Sequence, residues 1–142
     1  MTPRRPLQCA ALLTALHAAL HLLRFAQIYL GNDDARPLLQ YMDSVHVDIW
    51  GTSRSYLEFS FGNGLLASAM LALLAVLIWQ LGHLLERVPA VGRPMVRAII
   101  AGQVVFSVIA SLYFFVIATA LSVLSALCLL GGLVRAKAAH GT

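Results

Sequence analysis

The chain reads as an all-α protein, a four-transmembrane-helix bundle with both termini on the cytoplasmic side. Its long extracytoplasmic first loop has room for a short interfacial helix. Three observations predict this. Of 142 residues, 60% are hydrophobic and 11% charged, and the mean hydropathy is +0.82. Soluble domains carry about 25% charged residues, and a soluble monomer of this composition would expose apolar patches that drive aggregation. A spanning helix needs about 20 apolar residues, so the chain accommodates four spans and modest loops as one membrane domain. The cations, which give a net charge of +4, sit beside the apolar segments. That is the distribution of the positive-inside rule, and without aromatics interleaved on one face it does not suggest nucleic-acid binding.

The first span covers residues 7–30. Pro6 sits where a first-turn proline is tolerated, and Gly31-Asn32 accepts the left-handed geometry of a helix end. Arg4 and Arg5 precede the run as in a signal peptide. The run, however, carries His17, His21 and Arg24, continues to Leu30 and lacks a small-x-small cleavage site, so an uncleaved helix is expected.

The connection over residues 32–55 holds Asp33, Asp34, Asp43 and Asp48 of the six acidic residues. Within it Pro37, Leu38, Tyr41, Met42 and Val45 fall near helical spacing, as in an amphipathic helix on a membrane surface. The second span, 56–85, opens on Ser55-Tyr56-Leu57-Glu58, a capping-box pattern. A basic loop follows, with Arg87, Pro89, Gly92, Arg93 and Pro94. Residues 95–133 contain no proline, and as one helix they would run roughly 60 Å, about twice the hydrocarbon thickness. They must fold back, and the aromatic group Tyr113-Phe114-Phe115 with the residues to Thr119 is the expected turn. That gives helices over 95–115 and 117–135.

Orientation follows from Lys and Arg. Arg4 and Arg5, then Arg87, Arg93 and Arg97, then Arg135 and Lys137 share one side if there are four spans, while the first connection has Arg36 and Arg54 against four aspartates. Tyr29, Trp50, Tyr56 and Tyr113 then fall at the outer interface and Trp79 nearer the inner one. Localisation in a cell membrane, as a multi-pass protein of a bacterial inner membrane, is expected. Small residues recur at four-residue spacing: Ala11, Ala15 and Ala19; Ser60, Gly64 and Ser68; Ala118, Ser122 and Ala126. Such positions allow close helix packing, within one bundle or in a homo-oligomer. Cys9 and Cys128 fall in spans near the cytoplasmic side and read as packing residues rather than a disulfide. Without a C-x-x-C, a redox enzyme of the vitamin-K-epoxide-reductase type is not indicated.

Polar chemistry concentrates on the first two spans. His17, His21 and Arg24 form one stripe at i, i+4, i+7. Depth brings Arg24 level with Glu58 and His21 level with Asn63, and Gln103, Ser107 and Ser111 stripe the third span. Ionisable groups in a bilayer are costly unless paired, which makes them a functional-site hypothesis. Two readings stand. In one, Arg24 and Glu58 neutralise each other and the histidines bond between helices. In the other, an outer-leaflet polar pocket takes an amphipathic ligand: Glu58 and His21 are the candidate acid and base, Arg24 is the anion anchor and Asn63 the orienting group. Arg54, Tyr56, Gln103 and His17 complete the ligand-binding set. Asp43, His46 and Asp48 match no standard metal spacing and read as a solvated acidic loop, so no metal and no cofactor is expected. There is no glycine-rich phosphate loop, G-x-S-x-G or H-E-x-x-H.

The stretch from Gly51 to Leu65 resembles a family of small, uncharacterised bacterial four-helix membrane proteins. Its pattern is a small residue, Arg and Ser or Thr, then an aromatic, an acid and Phe, with Gly shortly after, at the start of the second helix. Arg54, Ser55, Glu58, Phe59, Gly62 and Gly64 match; Leu57 stands where an aromatic is usual and Asn63 where an apolar residue is usual. The resemblance implies the four-span layout and no activity.

Two functions are therefore carried forward. One is a membrane protein that binds a lipidic or hydrophobic small molecule, or serves as an accessory subunit, with membrane lipids as partners. The alternative is an intramembrane acid–base enzyme of the isomerase, cyclase or hydrolase kind, using Glu58 and His21 on an isoprenoid or lipid. Emopamil-binding-type sterol isomerases are an analogy at the level of architecture alone. A small multidrug-type transporter subunit ranks last, because the first span carries cations where those carry an acid.

Overall fold

The computed structural model describes residues 2–31 and 33–138, with the backbone alone at 30 and 31. The elements are α1 (Arg4–Gly31), a 3-10 turn (Asp33–Ala35), α2 (Arg36–Ser44), β1 (His46–Ile49), β2 (Thr52–Ser55), α3 (Tyr56–Arg87), α4 (Pro89–Tyr113) and α5 (Val116–Ala138). The chain is all-α apart from one two-stranded hairpin. Its four long helices are apolar and long enough to cross a membrane, the build of a multi-pass membrane protein. Their outer faces expose side chains such as Leu73, Val76, Leu77, Val105 and Leu127. In water these surfaces would aggregate; in acyl chains they are solvated. Asn32, expected at the end of the first span, lies outside the described residues.

The chain forms two compact units, Met1–His17 with Leu71–Thr142, and Ala18–Met70. In the first, α4 and α5 lie closest together. Their buried positions are mostly small: Ser107 and Ala110 on α4; Ser122, Ser125, Gly132 and Ala136 on α5. Between helices in lipid, close backbone approach replaces the hydrophobic drive that water supplies. Leu7, Ile78, Leu85, Val96 and Leu129 form the wholly buried apolar core. The buried face of α1 is Leu7, Ala10, Ala11, Thr14 and His17, whereas Ala15 of the expected small-residue stripe is exposed.

Several hydroxyl groups in this unit are satisfied locally, while buried Arg4 Nε, Arg93 Nε and Thr119 Oγ1 have no hydrogen-bond partner. The Thr14 hydroxyl donates to the Ala10 carbonyl at 2.9 Å and lies 3.1 Å from Ser125 Oγ. Ser107 and Ser122 donate to carbonyls one turn back, as serines in apolar helices do. Arg93 donates from Nη2 to the Ala136 carbonyl at 2.9 Å, capping the last turn of α5.

The basic loop is far shorter than expected. Only Val88 separates α3 from α4, and α4 begins at Pro89 rather than near residue 95. Pro89 falls at the first helical position, where its missing N–H costs nothing. Pro94 remains inside the helix because the bond it cannot make is to a first-turn carbonyl, at the end water reaches. The far turn lies at Phe114-Phe115, between the end of α4 and the start of α5.

The second unit runs from the outer half of α1 through the connection into α3. The expected interfacial segment is helical over Arg36–Ser44 and exposes Leu38 and Tyr41. The hairpin was not foreseen. It pairs His46 with Ser55, Val47 with Arg54, Asp48 with Ser53 and Ile49 with Thr52. Trp50 and Gly51 turn it, with φ of 49° and 79°. Both residues lie in the left-handed region, as a two-residue hairpin turn requires. Tryptophan in place of the usual Asn hid the signal.

Candidate functional site

The start of α3 is built as its sequence specifies. Ser55 Oγ accepts the Glu58 N–H at 3.1 Å, and Glu58 Oε2 accepts the Ser55 N–H at 3.0 Å, a reciprocal capping box. Buried Ser55 also donates to Asp43 Oδ1 at 3.2 Å. The Tyr56 N–H bonds the Val45 carbonyl at 2.8 Å, tying α2 to α3. Glu58 therefore has one oxygen engaged at the helix terminus, where a carboxylate is also favoured by the helix dipole.

Beside this cap runs an open groove of about 350 Å³ lined by Arg54, Glu58, Phe59, Gly62, Asn63 and Leu66. Residues 58, 62 and 66 follow one another at one-turn spacing, with 59 and 63 alongside, so the groove follows one face of α3. Its floor is Gly62, where an added Cβ would meet nothing within 4 Å. Arg54 and Glu58 lie at the end nearest the hairpin, Asn63 lies further along, and Phe59 and Leu66 give the face its apolar surface. Arg54, Glu58 and Asn63, three residues singled out from sequence, thus line one groove.

His21 does not join them. Its Nδ1 lies 2.8 Å from Ser68 Oγ, which itself donates to the Gly64 carbonyl at 3.0 Å. A Ser68 proton directed to that carbonyl leaves the hydroxyl oxygen to accept from His21, in the tautomer that carries its hydrogen on Nδ1. Phe25 stacks near His21, with ring centroids 6.4 Å apart, and packs with Tyr29 and Phe61 at 4.5 and 5.1 Å. Gly64 opens the space that the Phe25 ring fills, and the Tyr29 hydroxyl meets Ser60 Oγ at 2.6 Å. Ser60, Gly64 and Ser68, a stripe legible in the sequence, form the face of α3 toward α1. At 3.6 residues per turn this is the face opposite the groove.

The other expected members disperse as well. Arg24 is exposed and donates to Gln27 Oε1 at 3.2 Å, so it forms no ion pair with Glu58. The Arg36–Asp33 pair, at 2.6 Å, lies in solvent, where such pairs contribute little. Tyr56 is half-exposed. His17 is buried with its ring edge-on to Phe106, centroids 5.6 Å apart, and Gln103 is buried on α4; both belong to the first unit. Among the described residues no cluster of three metal-ligating side chains exists. Ser68 was missed as the partner of His21, although its place in the stripe with Gly64 was the available signal. Phe59 and Leu66 were missed as groove walls because lipid-facing apolar residues carry no distinguishing mark.

A second groove, of about 480 Å³, lies at the α4–α5 turn, lined by Ser111, Phe114, Val116, Thr119, Ala120, Val123 and Leu124, and is almost wholly apolar. Comparison with known proteins returned no matching family model, no similar curated protein and no similar solved structure.

Proposed function

We propose that this chain is a small multi-pass protein of a bacterial inner membrane that holds an amphipathic lipid along the outer face of α3. The observation that carries the reading is that Arg54, Glu58 and Asn63 line the same groove as Phe59, Gly62 and Leu66, so charged, amide and apolar groups border one space. The guanidinium takes a phosphate. The carboxylate oxygen outside the capping box takes an ammonium, and the Asn63 amide orients the linker. A zwitterionic phospholipid supplies both charges, with an acyl chain lying over Gly62 against Phe59 and Leu66.

The positive-inside distribution supports an outer-leaflet groove with both termini cytoplasmic. Leu38, Tyr41, Ile49 and Trp50 are exposed on α2 and the hairpin. At that depth they sink into the headgroup region as an interfacial anchor, the behaviour of short amphipathic elements. The acid–base reading needs Glu58 and His21 to face one substrate. Glu58 lies on one face of α3 and His21, on α1, packs against Ser68 on the other, so the geometry gives it no support.

The test is lipid retention. Protein extracted in mild detergent is analysed by mass spectrometry for co-purifying phospholipid, comparing wild type with Arg54→Gln and Gly62→Leu. Gly62→Leu fills the groove and points into open space, so it leaves the fold intact. A several-fold loss of zwitterionic phospholipid in both variants is expected. Unchanged retention in both overturns the proposal.

A further inference from the structure

Cys9 on α1 and Cys128 on α5 were expected to be unrelated packing residues. The structure makes them neighbours. Around them the two helices run antiparallel in close register: Thr14 Oγ1 lies 3.1 Å from Ser125 Oγ, and Ser125 Oγ reaches to 3.4 Å from the Ala10 carbonyl. Further along, Leu7 occupies the space that a side chain at Gly132 would need. The Ser125 hydroxyl of one helix thus reaches a backbone carbonyl of the other, which fixes their register at this level. Midway in this register the Cys9 and Cys128 thiols interact side by side. Both are reduced; Cys9 is exposed and Cys128 half-buried. The pair lies about one turn into α1 from Arg4 and Arg5, and about two turns before Arg135 on α5.

We propose that Cys9 and Cys128 form a hydroperoxide-reactive thiol pair, with Cys9 as the attacking sulfur and Cys128 as the resolving one. Exposure assigns the roles, because the oxidant must reach the first sulfur and only the partner must reach the second. The Cys9 sulfur, having lost its proton, attacks the outer oxygen of the hydroperoxide and the O–O bond breaks. Cys9 becomes a sulfenic acid and the remainder leaves as an alcohol. The Cys128 sulfur then attacks the Cys9 sulfur, the S–O bond breaks, and the hydroxyl departs with the Cys128 proton as water. Two thiols and one hydroperoxide give one disulfide, one alcohol and one water; the sulfurs lose two electrons and the peroxide gains them. An organic hydroperoxide is the fitting class of oxidant, since it partitions into the acyl region that bathes Cys9. The product joins the first spanning helix to the last.

Membranes containing the full chain, treated with cumene hydroperoxide, provide the test by intact-protein mass spectrometry with dimedone present to trap sulfenic acid. Wild type is expected to lose two hydrogens as a monomer, to take up no dimedone and to recover its mass with dithiothreitol. Cys128→Ser is expected to accumulate a dimedone adduct at Cys9, and Cys9→Ser to remain unmodified. Thermal unfolding of both variants before treatment establishes that they fold. Dimedone trapped on wild type to the same extent as on Cys128→Ser overturns the proposal. So does a covalent dimer through Cys9, or wild type that keeps both thiols free while Cys9 in Cys128→Ser reacts.

Discussion

Replacing Gly92 by alanine tests the one-residue connection between α3 and α4. A Cβ at Gly92 would lie 2.7 Å from Leu85 Cα and 3.0 Å from Leu85 N. Carbon atoms in contact sit about 3.5–4.0 Å apart, so the overlap is roughly 1 Å. The obstructing atoms are backbone of a wholly buried residue, Leu85, and cannot swing aside as a side-chain tip would. Overpacking of this kind costs about 1–3 kcal/mol. Helix propensity works the other way, since alanine in place of glycine is worth about 1 kcal/mol within a helix. The two terms together leave a net loss of up to about 2 kcal/mol. Gly102→Ala on the same helix isolates the propensity term, because nothing lies within 4 Å of its added Cβ. That variant should gain up to about 1 kcal/mol. Reversible unfolding in mixed micelles, titrated with a denaturing detergent, measures both. Gly92→Ala as stable as Gly102→Ala would refute the close approach of α4 to Leu85.

Other perturbations follow from single contacts. Ser55→Ala removes the capping hydroxyl and its bond to Asp43; a loss of about 1 kcal/mol is expected in the same unfolding assay, with faster amide exchange at the start of α3. Thr14→Val and Ser125→Ala in a double-mutant cycle should couple by about 0.6 kcal/mol, the usual worth of a hydrogen bond between membrane helices. Additive losses would show that the two hydroxyls do not meet. Arg93→Met leaves the Ala136 carbonyl without its guanidinium partner; loss of a bond to a charged group costs about 1.5–3 kcal/mol. The fraying should appear as increased exchange in the last turn of α5 and nowhere in α2.

The spans were legible because an oily surround leaves few solutions. Every backbone N–H and C=O must be bonded within the span, so long apolar runs become helices. The Ser55–Glu58 box and the Phe114-Phe115 turn were readable for local reasons, the first from a capping motif and the second from a run too long to be one helix. What was missed depends on helix rotation or on turn chemistry carried by an unusual residue. Depth alone placed Glu58 level with Arg24 and Asn63 level with His21. Rotation then turned Glu58 and Asn63 to one face of α3 and Ser68, with its bond to His21, to the other. Small residues decide that rotation: Gly64 admits the Phe25 ring, and nothing in the polar pattern reveals it. Trp50 with φ of 49° similarly concealed a hairpin. The neighbouring thiols follow from the register of the first helix against the last, a long-range relation that no local pattern encodes.

Four helices are long and apolar enough to cross a bilayer, and the Lys and Arg distribution predicts that the connection over residues 32–55 is outside and the C-terminal residues inside. Single cysteines placed at Asp48 and at Lys137, in a Cys9→Ser, Cys128→Ser background, can be labelled with a membrane-impermeant maleimide in intact and lysed spheroplasts. Labelling at position 48 without lysis, and at position 137 after lysis alone, is the expected result. Equal labelling of both positions in intact spheroplasts would contradict the crossing.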